Sequence, residues 1–375
     1  MAKVKKLKLK KPIVVTIKLI GFFIVVGCCF LIYYNMQMKS LTSLGYSEVA
    51  SKRILSEMKK DYILQMGENK TLNAAFESDN YVESNLDSYS KIEYQNHKNI
   101  IKNINLLIKK GYSNNDISNI LKHGNDNDVS EFAKRDKIKY LEEFYSISYA
   151  KLRYYDKYLE YSDKTGEDEE TTVLHVNLGM DKEEYVDPII VSEFDVTMLI
   201  NKYRKLEEDF IPEYLEDVPE AYAGNKNLKA SKLAIDAFIE MADAAKKDNL
   251  GIVINSAYRS YQDQIDIIND YRNLYGNNYV KRYVAEPGHS EHQTGLAFDI
   301  GSTSVNVFAN SNEYKWMLEN AHKYGFILRF PKKDESITGF RNEPWHYRFV
   351  GKKTATYIYE NNLTLEEYYV MFLDK

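Results

Sequence analysis

Cysteine and proline are the residue types that this sequence largely lacks. Its 375 residues contain two cysteines, Cys28 and Cys29, both within an apolar run near the N-terminus. The rest of the chain therefore has no disulfide and no thiol chemistry, and its stability must come from core burial. Proline, which breaks helices, is absent between Pro12 and Pro188. That long stretch is thus open to helix formation.

The sequence also lacks a large excess of either charge. Its formal net charge is -5, which gives no sign of nucleic-acid binding. The balance is more acidic beyond the first 11 residues, because a basic cluster precedes the apolar run: Lys3, Lys5, Lys6, Lys8, Lys10 and Lys11. We therefore predict no nucleic-acid partner, and the oligomeric state stays open.

One long hydrophobic run follows this basic cluster. Residues 13–34 are predominantly apolar, and about 20 such residues suffice to cross a bilayer. The positive-inside rule places residues 1–12 in the cytoplasm as a basic tail and everything after Asn35 outside. The sequence thus predicts a single-pass anchor at residues 13–34. Two alternatives stay open: a cleaved signal peptide, and a lipoprotein processed at Cys28 within a loosely lipobox-like Val-Val-Gly-Cys.

Residues 35–165 are rich in Tyr, Lys, Asn, Glu and Ser and have helical periodicity. They contain a weak internal repeat, because Gly45-Tyr46-Ser47 and Gly111-Tyr112-Ser113 precede similar Ile-Leu pairs at the same spacing. In each copy the glycine can end one helix and the serine can cap the next. The pattern predicts duplicated helix–turn–helix units. We expect an extracellular helical stalk; a wall-binding or protein-binding accessory module is the alternative.

A polar stretch at residues 162–170 is the predicted boundary of a second domain, residues 171–375. Residues 171–178 are predicted to form a strand. Residues 229–247 are predicted to form a helix whose buried face comprises Leu233, Ala237, Met241 and Ala244. Helices come first along the chain and strands mixed with helices follow. This order predicts an α+β fold, with a small antiparallel sheet and flanking helices.

Two segments near the C-terminus combine residue types found in metal-dependent hydrolases. Residues 290–299 read Ser-Glu-His-Gln-Thr-Gly-Leu-Ala-Phe-Asp, and residues 343–346 read Glu-Pro-Trp-His. Zinc in hydrolases typically has three protein ligands and an open fourth position for water. A neighbouring carboxylate then accepts the proton of that water as it attacks. His292, Asp299 and His346 fit the ligand roles, and Glu343 fits the base.

Alternating polarity predicts strands at both motifs. Leu296, Phe298 and Ile300 lie on one face of the first strand, whereas Asp299 lies on the other. Residues 345–350 are aromatic and β-branched, which suits a strand. We expect His292 on the loop that leads into the first strand.

The pair S-x-H-x-x-G-x-A-x-D and E-P-W-H resembles the motifs of VanY-type zinc D-alanyl-D-alanine carboxypeptidases, which trim the peptide stems of bacterial cell walls. The resemblance implies that residues 171–375 form an α+β zinc peptidase domain. It implies that His292, Asp299 and His346 hold Zn2+ and that Glu343 is the catalytic base. It also implies peptidoglycan stem peptides as substrates, at a cell surface of the Gram-positive type.

A third segment fits the same resemblance. Residues 251–255 read as a buried strand that leads to Arg259 and then to a helix containing Gln264. Relatives have a similar Y-R-S-x-x-x-Q stretch whose arginine and glutamine face the substrate. A guanidinium can pair with a C-terminal carboxylate or stabilise an oxyanion, so Arg259 is expected to act in binding or catalysis. Ser290 resembles the family serine that contacts the substrate.

Three functions remain open at this point. The expected one is D-alanyl-D-alanine carboxypeptidase activity, and the first alternative is an L,D-carboxypeptidase acting on tetrapeptide stems. The second alternative is a non-catalytic wall-binding protein, which the presence of Glu343 disfavours. Among the other histidines, His289 is expected to have at most a supporting role near His292. His322 is expected near a helix C-terminus, away from the metal.

Overall fold

The computed structural model describes residues 11–138 and 141–374. The chain divides into two compact units. One extends to Ser146 and includes Lys151–Arg153, and the other comprises Ile147–Ala150 and the residues from Tyr154 onward. The polar stretch 162–170 therefore lies within the second unit rather than between the two. Of the predicted basic tail, residues 1–10 lie outside the described residues.

The first unit is helical throughout its described part. Its helices are α1 (Lys11–Thr42), α2 (Glu48–Ser56), α3 (Lys60–Met66), α4 (Lys70–Glu77), α5 (Leu86–Lys91), α6 (Ile100–Lys109), α7 (Asn114–His123), α8 (Asp126–Phe132) and α9 (Leu141–Tyr145). Within α1, Lys18–Thr42 reaches a mean hydropathy of 2.1 and is long enough to cross a membrane. Signal sequences also have this length and hydropathy.

The predicted repeat is confirmed as a pair of similar helix–turn–helix corners. Gly45 and Gly111 both adopt positive φ, 92° and 82°, where a side chain would be strained. Ser47 then caps α2 by accepting a hydrogen bond from a backbone N–H, and Ser113 caps α7 in a full capping box. The tyrosine between glycine and serine is buried in both copies. Each corner thus packs its own aromatic ring as the chain turns.

The second unit is mixed helix and sheet, as predicted. Its helices are α10 (Tyr155–Thr165), α11 (Glu169–Leu178), α12 (Lys232–Lys247), α13 (Tyr261–Tyr275), α14 (Asn277–Tyr283), α15 (Asn312–Asn320), α16 (Glu335–Thr338), α17 (Lys352–Asn361) and α18 (Leu365–Tyr368). Its strands are β1 (Ile189–Ile190), β2 (Arg204–Lys205), β3 (Leu215–Asp217), β4 (Lys229–Ser231), β5 (Ile252–Ser256), β6 (Ala297–Ser302), β7 (Phe326–Leu328) and β8 (His346–Phe349).

A four-stranded antiparallel sheet forms the centre of this unit. The strand order is β5-β6-β8-β7. Phe298 and Ile300 of β6 and Tyr347 and Phe349 of β8 point to one face, where they join a core with α12. The alternation predicted for residues 296–300 is confirmed, and the opposite face of β6 and β8 is left for polar side chains.

The prediction of a strand at residues 171–178 is wrong, because this segment is helix α11. Asp168 caps it by accepting hydrogen bonds from the backbone and hydroxyl of Thr171, and Gly179 ends it at φ 90°. Every residue from Thr172 to Leu178 is buried. A helix that is buried on all sides has no polar stripe, so its sequence lacks the helical period.

Helix α12 begins later than predicted, because Lys229–Ser231 form strand β4. Its buried face agrees with the expected one in part: Ala237 and Met241 are buried as predicted, whereas Leu233 is 54% exposed. Phe238, outside the predicted face, is fully buried. Phe238 packs edge-to-face on Phe298 of the central sheet, with ring centroids 5.8 Å apart.

Candidate active site

Strand pairing brings two of the predicted metal ligands together. Asp299 on β6 lies directly opposite His346 on β8 in the antiparallel register. Side chains at such opposed positions lie on the same face and within contact distance. Asp299 Oδ1 is 3.3 Å from His346 Nδ1. The backbone register therefore sets the separation of this carboxylate and this imidazole.

The third predicted ligand, His292, lies in a short 3-10 helix, Glu291–Thr294, that leads into β6. Gly295 ends this turn at φ 68°, and a Cβ there would approach the backbone nitrogen of Ser231 to 3.0 Å. His292 Nδ1 lies 2.6 Å from the carbonyl oxygen of Ala257. A carbonyl oxygen only accepts, so this contact places the ring proton on Nδ1 and leaves Nε2 free.

The three side chains converge on one point. One ligand atom from each of His292, Asp299 and His346 lies within 4.8 Å of the others. Asp299 Oδ1 is shielded from solvent, and it lies 3.3 Å from His346 Nδ1. A carboxylate beside two imidazoles is a donor set suited to a divalent cation.

The charges of these groups are coupled. Burial, followed by the charge of Arg259, lowers the pKa of His292 to about 4. Burial alone would also lower the pKa of His346, but its hydrogen bonds to Asp299 and Glu291 raise it to about 9. Burial would raise the pKa of Asp299, but both histidines hold it well below its usual range. The carboxylate is therefore ionised, as a metal ligand must be.

Glu343 lies beside this group in a buried position. Its Oε2 is 3.7 Å from His346 Nδ1. Its backbone N–H donates to Phe330, and its carbonyl oxygen accepts from His346, which fixes the segment that precedes β8. Desolvation raises the pKa of Glu343 to about 7, against the opposing effect of His346. A carboxylate with this pKa can accept and release a proton near neutral pH.

The other three predicted site residues surround the same point. Arg259 is half-buried after the end of β5, its Nε has no hydrogen-bond partner in the described residues, and its pKa is lowered by desolvation. Gln264 on α13 donates to the carbonyl oxygen of Ala285, and its own Oε1 has no partner in the same part of the chain. Ser290 is buried at the start of the 3-10 turn.

All seven predicted residues line one cavity. Sequence reasoning did not identify the aromatic part of its wall, which comprises Tyr271, Tyr279, Tyr283, Phe330, Phe340 and Trp345. Tyr271 and Tyr279 are in edge-to-face contact, with ring centroids 6.0 Å apart. Tyr271 lies on α13, whereas Tyr279 lies on α14.

Two further histidines are placed by the structure. His289 is buried at the cavity wall, and its Nδ1 lies 2.7 Å from the carbonyl oxygen of Asn201. His322 stacks on Tyr359 at 3.9 Å, outside this cavity. Glu291, which the sequence analysis left without a role, is 4% exposed and lies 3.4 Å from His346 Nε2.

Comparison with known proteins identifies similar sequences. Residues 227–352 match the family VanY, D-alanyl-D-alanine carboxypeptidase. YodJ of Bacillus subtilis (strain 168), named as a carboxypeptidase, is 42% identical over 183 residues, or 47% of this chain and 67% of YodJ. A D-alanyl-D-alanine carboxypeptidase of Enterococcus faecalis is 39% identical over 138 residues, or 34% of this chain and 51% of that protein. The chain thus spans two thirds of the first relative and about half of the second.

Solved structures with similar sequences cover the same part of the chain. The LD-carboxypeptidase LdcB is 43% identical, with a TM-score of 0.43, over 46% of this chain and 84% of that one. The D,D-pentapeptidase VanY in complex with Zn(II) is 33% identical, with a TM-score of 0.41, over 46% of this chain and 98% of that one. Both TM-scores are below 0.5, so the assignment rests on the sequence matches. By those matches the chain belongs to the VanY family of D-alanyl-D-alanine carboxypeptidases.

Proposed function

We propose that this protein is a zinc carboxypeptidase that removes the C-terminal D-alanine from peptidoglycan stem peptides. The observation that carries the proposal is the convergence of three ligand atoms within 4.8 Å, beside a buried carboxylate, in one cavity. Membership in the VanY family agrees with this chemistry.

The residues present fit zinc. His292, Asp299 and His346 would supply two nitrogens and one oxygen, and the burial of both histidines limits competition from water. When bound, zinc supplies Lewis acidity that polarises a carbonyl group and makes water more acidic. The cavity lined by these three side chains would give water and substrate access to the site.

Glu343 is the proposed general base. Its carboxylate faces the ligand group, at 3.7 Å from His346 Nδ1, and its pKa of about 7 suits proton transfer. It would accept the proton of the attacking water and deliver it to the leaving amine. The same burial that raises its pKa keeps competing water away from the transferred proton.

Arg259 is the proposed partner of negative charge on the substrate. It is half-buried at the cavity wall, and its Nε has no hydrogen-bond partner in the described chain. It would pair with the C-terminal carboxylate or with the oxyanion formed during attack. Gln264 and Ser290 line the same wall and would contact the peptide backbone.

Helix α1 is the proposed membrane anchor, with the catalytic unit outside the cell. Its apolar segment is long enough to span a bilayer, and the basic cluster precedes it in the sequence. A surface location would bring the cavity to peptidoglycan, where stem peptides have free C-terminal carboxylates.

The test is to incubate the full chain, purified in detergent and loaded with zinc, with pentapeptide and tetrapeptide stems. Mass spectrometry should show loss of one D-alanine from the pentapeptide. Product from the tetrapeptide alone would instead assign L,D-carboxypeptidase activity, which similar solved proteins are named for. Glu343→Gln is the matched control, and product formation at the wild-type rate by this variant, or no cleavage of either stem by the wild type, would contradict the proposal.

A further inference from the structure

Four buried charged side chains lie behind the proposed metal ligands. They are Glu291, Arg329, Arg348 and Glu366, and none is more than 4% exposed. We call them the buried charge cluster. Two carboxylates face two guanidiniums, so the formal charges cancel. The proposed ligand and base roles do not account for this cluster, although burying ions is costly unless they are paired.

Both arginines are held in fixed orientations. Arg329 forms a bidentate ion pair with Glu366, with Nη1–Oε2 at 2.8 Å and Nη2–Oε1 at 2.6 Å. Arg348 donates Nη2 to two backbone carbonyl oxygens, at 3.1 and 2.9 Å. Each then donates to Glu291 Oε1, from Arg329 Nε at 2.8 Å and from Arg348 Nη1 at 3.0 Å. Two charge-assisted bonds to one oxygen fix the plane of this carboxylate.

The second oxygen of Glu291 faces His346. Glu291 Oε2 lies 3.4 Å from His346 Nε2. Two guanidiniums donate to the other oxygen of this side chain, so Glu291 is paired as a carboxylate and its Oε2 can only accept a hydrogen bond. The proton between Glu291 Oε2 and the imidazole is therefore assigned to Nε2 of His346.

The other ring nitrogen of His346 faces the cavity. His346 Nδ1 lies 3.3 Å from Asp299 Oδ1 and 3.7 Å from Glu343 Oε2. His292 has the opposite arrangement, because its Nδ1 contacts the backbone at 2.6 Å and its Nε2 lies 3.5 Å from Asp299 Oδ2. The two imidazoles thus present different nitrogens to the same point.

We propose that Glu291 is a positioning residue that holds His346 by its Nε2–H, so that His346 binds the metal through Nδ1 while His292 binds through Nε2. This inference rests on the proposed metal site. Glu291 would act through the ring and would touch neither metal nor substrate. Partners of this kind orient a ligand and increase its basicity, and their loss typically lowers metal affinity about 10- to 100-fold.

The first test compares zinc affinity in two variants by competition with a chromophoric chelator, using the full chain in detergent. Glu291→Gln removes the charge that faces His346, and its zinc affinity should fall about 10- to 100-fold. Glu366→Gln is the matched control, because it removes an equally buried carboxylate of the same cluster that contacts Arg329 but not His346. Its zinc affinity should stay within about threefold of wild type, a change of less than 1 kcal/mol.

Absorption spectra of the cobalt-substituted chains give a second readout. The visible bands should change in Glu291→Gln, where the ring can turn, and should be retained in Glu366→Gln. Equal losses of zinc affinity in both variants would mean that Glu291 has only a general structural role, and this would overturn the inference. Wild-type zinc affinity and a wild-type cobalt spectrum in Glu291→Gln would also overturn it. A wild-type chain that binds no zinc would instead refute the proposed function.

The unmodified chain provides a test that does not depend on folding of a variant. In zinc-loaded protein labelled with 15N-histidine, the ring signals of His346 can be identified by their loss in His346→Asn. We expect a protonated Nε2 and a metal-bound Nδ1 for His346, and the reverse pattern for His292. A protonated Nδ1 on His346 would overturn the inference.

Discussion

At the residue scale, the candidate site depends on how burial and charge act on individual side chains. Glu343, which is buried, and Asp299, which is half-buried, are two carboxylates a few ångströms from the imidazole of His346. Contacts with His292 and His346 keep Asp299 ionised, whereas desolvation raises the pKa of Glu343 to about 7. Their different environments thus keep Asp299 permanently ionised, as a metal ligand, and allow Glu343 to accept a proton, as a base. One pocket can therefore hold both roles.

Replacing Glu343 by Gln should remove proton transfer and preserve the site. The amide keeps the size of the side chain but cannot accept the proton, so kcat should fall by about two to four orders of magnitude. Zinc content should stay at the wild-type level, whereas His346→Ala, which removes a ligand, should lose most of it. Steady-state kinetics and elemental analysis make the comparison. Near wild-type turnover would exclude Glu343 as the base.

Replacing Arg259 by Lys should impair activity although the charge is kept. A lysine cannot reproduce the planar fork that pairs with a carboxylate, so kcat/KM for stem peptides should fall at least about tenfold, a loss of 1.4 kcal/mol or more. A substrate with an amidated C-terminus should be poor for the wild-type enzyme for the same reason. Equal cleavage of the amidated and free-acid peptides would contradict recognition of a terminal carboxylate.

His289 should make stability depend on pH. Burial lowers its pKa, so the folded state favours the neutral ring. The unfolded chain binds the proton more readily, with a pKa of about 6.5. Its contribution to stability is therefore complete above that pH and is lost as the pH falls towards the folded pKa. His289→Asn keeps a hydrogen-bond donor near the position of Nδ1 but does not titrate. The unfolding temperature should therefore change less between pH 7.5 and 5.5 in this variant than in the wild type. An identical pH profile in both proteins would exclude His289 as a source of the pH dependence.

The candidate metal ligands and the base were easier to predict from the sequence than the side chains that hold them in position. His292, Asp299, Glu343 and His346 belong to two short motifs, so chemistry and spacing sufficed to place them. The partners of Glu291 lie 38 and more residues away along the chain. A buried ion pair of this kind arises from the tertiary fold and leaves no local pattern, and sequence reasoning therefore left Glu291 without a role.

At the element scale, predictions succeeded where one face of an element is buried and failed where burial is complete. Strand β6 alternates because one face meets the core and the other faces the cavity. Helix α11 is buried on every side from Thr172 to Leu178, and its β-branched residues are of the type enriched in strands. Its end signals were nevertheless present in the sequence as Asp168 and Gly179. Capping residues depend on local geometry, so they can be recognised in a sequence even where the helical periodicity is absent.

The cap of α11 should therefore be worth a measurable stability. Asp168 accepts from Thr171 N and Oγ1 at 2.9 and 2.8 Å. Asp168→Ala should cost about 1 kcal/mol and lower the unfolding midpoint of this unit by about 2–4 °C. Asp168→Asn, which retains a cap oxygen, should lose much less. An unchanged midpoint in Asp168→Ala would mean that packing alone holds the helix.

At the scale of the whole molecule, two units of different composition share one chain. The helical unit has an apolar first helix and repeated corners, and the mixed unit contains the complete candidate site. Every cysteine of the chain lies in the apolar run. The mixed unit thus depends on core burial and paired charges, and thiol reagents should leave its activity unchanged.

The proposed topology predicts accessibility from outside the cell. If α1 anchors the protein with the catalytic unit outside, protease added to intact wall-stripped cells should remove that unit and leave a fragment containing α1 in the membrane. A cytoplasmic marker protein should remain intact in the same sample. Protection of the catalytic unit from the protease would indicate the opposite orientation, with this unit inside the cell. Recovery of a mature protein without α1 would show that α1 is a cleaved signal sequence.

The direct opposition of Asp299 and His346 has a consequence for the order of assembly. Backbone hydrogen bonds between β6 and β8, and not the cation, bring these two side chains together. A slip of one residue would turn each side chain to the opposite face, so no partly formed sheet can present both. We therefore expect folding to precede metal binding, so apoprotein prepared with a chelator should keep its native sheet and regain activity by simple addition of the metal. Small zinc modules, in contrast, unfold when the ion is withdrawn.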